Sequence, residues 1–314
     1  MDNPNIFNYA TSELSQDAFL CYLLAFGKEK YKSDFPKEYA LAHKFLSKCG
    51  IDSKEEILSV GQQVNHVDVL IVTTNHILII EDKTYTNEHD DQIIRYVKNM
   101  RSNDKKFTSD KKIKVCYVKT GDYVNSYRSS DETILSNKDC CSLRRQDLIE
   151  LLKDCHQDKV MDMFYERLMM VENEISACDE KDISTWISLK WFDFLYKTLK
   201  QKGKNFNIGW VHPRGGEFYA CWLDWKQIGE IEKYKQIEIH LKENGTNFVE
   251  LCLKCASDHK DITRKHKNDI KIWQEQALQK GYIRPKRWAV GRTTTYAFKK
   301  AHLVKDILDF INEK

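Results

Sequence analysis

The sequence predicts an α/β protein with a mixed β-sheet core flanked by helices, plus a C-terminal α+β region containing an antiparallel meander. Three observations carry this expectation. Val67 to Val72 and Ile77 to Ile80 are unbroken β-branched and apolar runs, the pattern of strands buried on both faces at the centre of a sheet. Helical patterns stand before and after them, and a further apolar strand, Lys112 to Lys119, follows, so helices and strands interleave. After Ile183 the pattern becomes a series of strands separated by turn-forming residues.

The chain has 314 residues, beyond the usual single-domain length, so two domains are expected. With 41% hydrophobic and 31% charged residues and only 4 Pro, its composition is that of a globular protein and excludes a disordered one. No apolar run approaches the roughly 18 residues of a membrane span, and MDNPNIFNYATSEL lacks the basic and apolar regions of a signal peptide. A soluble cytoplasmic protein with reduced thiols is the expectation for its ten cysteines. The single C-x-x-C, Cys252-Leu-Lys-Cys255, has no second pair to complete a zinc site.

Thr11 to Gly27 reads as the first helix. Thr11 or Ser12 can cap it, and Gly27 can end it. Glu13 lies in the first turn, where the helix dipole favours a carboxylate. Leu14, Phe19, Leu20, Leu23 and Leu24 supply the apolar face. A second helix covers Glu38 to Cys49 and stops at Gly50. Glu55 to Val64 is the first strand, leading through Gln62 and Gln63 into the central hairpin.

That hairpin turns through Thr73-Thr74-Asn75-His76. With the turn centred on Thr74 and Asn75, Asp68 lies directly opposite Glu81, their Cβ atoms roughly 5 Å apart. Strand alternation adds Lys83 to the same face and sends Asp82 to the other. Two carboxylates so close repel unless a cation or a proton lies between them. A hard divalent metal suits the pair, since Mg²⁺ takes one or two protein carboxylates and keeps positions open for phosphate oxygens. Lys83 beside it can orient or deprotonate a water, or stabilise charge growing on a phosphate. A buried ion triad of purely structural role would use the same three residues.

Asp90 to Met100 is the crossover helix, and its Gln92 and Tyr96, at i and i+4, share a face. Arg101 to Lys114 carries Lys105 and Lys106 among five lysines, suited to phosphate contact beside the predicted site. Lys112 to Lys119 is the returning strand. Gly121 to Asn137 is an irregular loop with Tyr123, Tyr127 and Arg128. Ser142 opens another helix, and Lys159 to Ser176 a further one whose methionines serve as core filler. The polar break Ala177 to Asp182 divides the chain into domains 1–178 and 183–314.

The second domain begins with a helix bearing Trp186, Leu189, Trp191, Phe192 and Leu195. Strands follow at Asn207 to His212, Glu217 to Ile228, Gln236 to Lys242 and Phe248 to Cys255. Lys260 to Gln279 reads as a basic helix, Arg284 to Phe298 as an extended basic segment and His302 to Ile311 as the last helix. Charge is uneven. Residues 1–183 hold 25 Lys and Arg against 32 Asp and Glu, a net of −7, and residues 184–314 hold 25 against 15, a net of +10. The C-terminal part is therefore expected to attract a polyanion.

Asp68, a short hairpin, then Glu81-x-Lys83 at the end of an apolar strand resembles the PD-(D/E)XK nuclease superfamily, with Val67 where the motif has Pro. Gln92-x-x-x-Tyr96 is similar to the helix motif of its RecB-like members. The resemblance covers roughly residues 11 to 120 and implies a restriction-endonuclease-like core. It also implies that Asp68 and Glu81 hold Mg²⁺ or Mn²⁺, that Lys83 assists the water, and that Gln92 and Tyr96 contact nucleic acid. Glu13 resembles the first-helix Glu that approaches the metal in many members. The expected activity is metal-dependent hydrolysis of phosphodiester bonds, of DNA in the first place. Defence against foreign DNA is an association at the level of the superfamily. A non-catalytic nucleic-acid- or protein-binding module with a nuclease-like core is the alternative. The C-terminal domain is expected to bind nucleic acid, a protein partner or a second copy of the chain.

Overall fold

The computed structural model describes residues 4–84, 91–103, 110–121, 129–155, 157–212, 217–241, 247–258 and 260–313. The chain divides into two compact units, Met1–Glu174 and Ile175–Lys314. No helix among the described residues is long and apolar enough to cross a membrane.

In the first unit, helices α1 (Glu13–Ala25) and α2 (Pro36–Lys48) precede strands β1 (Ile57–Val64), β2 (Val67–Thr73) and β3 (His76–Lys83). Helix α3 (Gln92–Asn103) crosses over to β4 (Lys112–Lys119), followed by β5 (Cys140–Arg144), α4 (Arg145–Leu152) and α5 (Lys159–Ala177). The sheet order is β1-β2-β3-β4-β5. The first three strands are antiparallel, whereas β4 and β5 run parallel to β3, giving the mixed sheet the sequence predicts. Val69, Ile71, Leu78, Ile80, Cys116 and Val118 join the core formed with α1, α2, α4 and α5. Ile77, Ile79, Val115 and Tyr117 join a second core with Ile93, Ile94, Tyr96 and Val97 of α3. Burial on both faces explains why these strands are apolar without alternation.

The register that matters to the site is pinned at the far end of the hairpin. Val72 pairs with Ile77 and Val69 with Ile80, so Thr74 and Asn75 form the turn. Buried Glu55 accepts hydrogen bonds from Thr73 Oγ1 at 2.6 Å, from the Asn75 N–H at 3.1 Å and pairs with His76 Nδ1 at 2.8 Å. The β1–β2 turn uses Asn65 and His66, both at positive φ (53° and 69°), as the tightest hairpins require.

In the first unit, the segment after β4 differs from expectation. Ser142 does not open a helix. Residues 140–144 form β5 and pair in parallel with β4, and α4 begins only at Arg145, where Asp147 accepts the Arg144 N–H at 2.9 Å. The open edge of β4 offers ladder hydrogen bonds that outweigh local helix preference, a tertiary effect. β5 also brings Cys141 within 4.8 Å of Cys49 and Cys116, three thiols far apart in sequence that pack together in the core.

The second unit contains α6 (Ser188–Gln201), β6 (Phe206–Val211), β7 (Phe218–Ile228), β8 (Ile231–His240), β9 (Phe248–Ala256), the short α7 (Ile262–Lys265), α8 (Lys267–Gln279), β10 (Thr293–Ala301) and α9 (Val304–Asn312). Its sheet, ordered β10-β9-β8-β7-β6, is antiparallel throughout, and Trp186, Trp191 and Phe192 are buried. Strand β8 starts at Ile231, earlier than Gln236, because Gly229 at φ 60° lets the chain turn back at once. The basic helix is interrupted at His266. The extended basic segment becomes a strand only from Thr293, where pairing with β9 begins.

Candidate active site

The hairpin brings Asp68, Glu81 and Lys83 together. Lys83 Nζ lies 2.6 Å from Glu81 Oε1 and 3.4 Å from Asp68 Oδ2. It also donates to the Asp82 carbonyl at 3.1 Å, while Asp68 Oδ2 accepts the Asp82 N–H at 2.9 Å. Glu81 is 0% exposed, whereas Asp68 is only partly covered, so the triad is reached from the Asp68 side. Burial works against the Lys83 ammonium, but the carboxylates of Glu81, Asp68 and Glu13 prevail and raise its pKa above the ordinary lysine value. Lys119 of β4 is the direct parallel neighbour of Lys83 and is buried beside it.

Helix α1 adds more carboxylates. Ser12 sits at its N-cap position without a side-chain cap bond, and Glu13 Oε1 accepts the Thr84 N–H, just past the end of β3, at 3.0 Å. One turn on, buried Asp17 is tied to the site through Gln63, whose Nε2 donates to Asp17 Oδ2 at 3.1 Å and to Asp68 Oδ1 at 3.3 Å. Gln63 stands at φ 53° in β1. Asp82 points to the α1 side, fully buried, and accepts from Gln16, whose Oε1 accepts from Thr120 Oγ1 at 2.6 Å. Burial, reinforced by Asp68, pushes Asp17 up to about 6. Burial, reinforced by Asp17, holds Asp82 well above the carboxylate range.

Carboxylates from Glu81, Asp68, Glu13 and Asp17 thus act on Lys83, and the Asp82 carboxylate is buried on the α1 side within electrostatic reach of three of them. The oxygen-rich donor set is of the kind that suits a hard divalent cation. Asp68 and Glu81 both lie within ion-pairing distance of Lys83 Nζ, and Glu13 is held at the end of the same strand through the Thr84 N–H.

Gln92 and Tyr96 share one face of α3, and Gln92 Nε2 donates to the Tyr96 hydroxyl. Tyr96 is buried in the α3 core. Its hydroxyl pKa is raised by burial first and then by Glu81 and Asp68, which puts it within their electrostatic reach. Lys105 and Lys106 lie outside the described residues, as do Tyr123, Tyr127 and Arg128. Sequence patterns left Asp17, Gln16 and Lys119 unmarked and Gln63 undecided. Asp17 carried a legible signal, since it lies four residues after Glu13 on one helix face. Lys119 became visible only through the parallel register of β3 and β4.

A family model described as the PD-(D/E)XK nuclease superfamily matches residues 4–205, well over half of the chain and beyond the stretch that carries the motifs. No curated protein and no solved structure matches the chain significantly. With the mixed sheet and the Asp68, Glu81 and Lys83 hairpin in place, the chain belongs to the PD-(D/E)XK nuclease superfamily.

Proposed function

We propose that this protein is a divalent-metal-dependent nuclease that hydrolyses phosphodiester bonds of DNA, with Asp68, Glu81 and Lys83 as its catalytic residues. The observation that carries the reading is the excess of carboxylates around Lys83 at one end of the hairpin, in a chain of nuclease descent. Asp68 and Glu81 would hold Mg²⁺ or Mn²⁺, with Glu13 as a further ligand. The bound ion supplies Lewis-acid polarisation of a phosphoryl oxygen and a water of lowered pKa. Lys83, kept as an ammonium by its carboxylate neighbours, donates hydrogen bonds that orient the attacking water and stabilise charge developing on the phosphate. Gln92 and Tyr96 position the substrate strand from α3, and Lys105 and Lys106 contribute phosphate contacts. The acidic first domain performs the chemistry and the basic second domain recruits the polyanion. Either that domain or a protein partner bound to it, a second copy included, sets which nucleic acid is presented.

The test is cleavage of plasmid and linear DNA, and of RNA in parallel, with Mg²⁺, Mn²⁺ or chelator. Glu81→Ala and Lys83→Ala are expected to lower the rate by about 10²-fold or more, the scale of losing a preorganised charge stabiliser. Cleavage at the wild-type rate in both variants removes this site from the reaction. The Lys83 ion pairs with Glu81 and Asp68 favour one other reading, a triad that satisfies itself in a non-catalytic binding module. Nucleic-acid binding indifferent to metal, with no cleavage of any substrate, would select that reading.

A further inference from the structure

The second unit carries an open pocket of about 700 Å³, lined entirely by its own residues and containing none of the groups assigned to the nuclease site. The volume falls within the roughly 300–1,000 Å³ of small-molecule sites. Six lysines face it, Lys202, Lys204, Lys226, Lys233, Lys235 and Lys280, against two carboxylates, Asp224 and Glu313. Both carboxylates are already engaged. Asp224 holds Lys204 at 2.7 Å and Lys235 at 3.1 Å. Glu313 holds Lys280 at 3.4 Å and accepts the Tyr282 hydroxyl at 2.6 Å.

Lys226 and Lys233 are left with each other. They are direct cross-strand partners on β7 and β8, and like charges in that position destabilise a sheet. Among the described residues neither makes an ion pair. The Lys233 ammonium instead stands 4.5 Å from the ring centre of Trp273 and 5.5 Å from that of Tyr296. Burial, followed by the charges of Lys226 and Lys280, lowers its pKa, the mark of a cation short of counter-charge. A bulge between Leu223 and Lys226, with Asp224 at φ 56°, turns the nearest carboxylate toward Lys204 and Lys235.

The lysines are only half of the lining. Trp273, Tyr296, Leu253 and Ala277 form an aromatic and apolar wall in the same cavity. A bare inorganic anion would relieve the Lys226–Lys233 repulsion and leave that wall unused. An apolar ligand would do the reverse. We infer that the cavity binds a nucleotide unit, its phosphate between Lys226, Lys233 and Lys280 and its base against the wall formed by Trp273 and Tyr296. The same unit can arrive as a free nucleotide or as the terminal nucleotide of a single strand. Binding of this kind is independent of the cleavage chemistry assigned to Asp68, Glu81 and Lys83.

The test is calorimetric titration of the full-length chain, in chelator so that cleavage is silent, with ATP, dAMP, tripolyphosphate and a short 5′-phosphorylated oligothymidylate. Lys226 and Lys280 are exposed, so Lys226→Gln and Lys280→Gln leave the fold intact, which circular dichroism verifies. Each is expected to weaken ATP binding by roughly threefold to tenfold, and the pair by more than about tenfold, the range for charge-assisted contacts. Trp273→Leu is expected to weaken ATP and leave tripolyphosphate unchanged. An oligonucleotide that displaces ATP identifies a strand end as the ligand, and one that does not identifies a free nucleotide; both support the site. ATP binding that is absent at millimolar concentration, or unchanged in the double variant, overturns it, as does tripolyphosphate binding equal to that of ATP. Repeating the titration in Glu81→Ala separates this outcome from failure of the nuclease reading, because loss of cleavage there leaves nucleotide binding in place.

Discussion

Lys83 and Asp17 show how one environment drives two neighbouring groups in opposite directions. Both are buried. Burial alone would neutralise each, but Lys83 faces several carboxylates and stays charged, whereas Asp17 faces more of its own sign and is pushed up to about 6. A carboxyl raised in this way favours folding in its protonated form. Its contribution is fully present below about pH 4, the unfolded value, and is lost as the pH rises through about 6. Asp17→Asn is therefore expected to stabilise the metal-free protein above pH 6 and to have little effect near pH 4. Thermal denaturation across that range in chelator checks it, and a difference independent of pH would show that Asp17 is not the titrating group. Added Mg²⁺ should narrow the gap by giving the ionised carboxylates a counter-charge.

At the scale of the element, the hairpin is a lever whose fulcrum is Glu55. A slip of one residue would send Asp68 to the opposite face from Glu81, because side chains alternate along a strand. Glu55 guards against that slip by binding Thr73, Asn75 and His76 at the turn. Burial disfavours its charge, but these donors prevail and hold its pKa below the usual value. The stability it supplies is thus present above the ordinary glutamate pKa and is lost as the pH falls through the depressed one. Glu55→Ala is expected to cost about 1–3 kcal/mol, the penalty for leaving buried donors unpaired. Cleavage by the proposed site should decline with it although Glu55 touches none of Asp68, Glu81 and Lys83. Chemical denaturation measures the first effect and the DNA assay the second; full activity with full stability would mean the turn holds its register without Glu55.

For the whole molecule, the uneven distribution of charge makes a prediction about salt dependence. The first 183 residues carry a net −7 and the rest +10, so affinity for nucleic acid should come from the basic part and fall steeply with salt. Arg264, Lys267 and Lys271 are exposed around α7 and α8. Neutralising all three to Gln is expected to flatten the slope of log affinity against log salt by roughly one for each phosphate that the variant no longer neutralises. Fluorescence anisotropy of labelled DNA in chelator reads this directly. An unaltered slope would assign the phosphate-binding side chains to the lysines of the first unit instead.

The sequence by itself determined the central strands, the hairpin register, the grouping of Asp68, Glu81 and Lys83 and the superfamily, because each is written in local pattern: apolar runs, a short turn, and residues at fixed spacing from it. It also located Glu13, Gln92 and Tyr96 on their helices. The tertiary structure alone decided that residues 140–144 are a strand, since the edge of β4 has to be formed before it can recruit them. Likewise, only the fold could bring Asp17, Gln63 and Lys119 to the triad, and Lys226 and Lys233 into opposition beside Trp273 and Tyr296. These groupings join residues distant in the chain, and no local preference encodes a distance that depends on how separate elements pack.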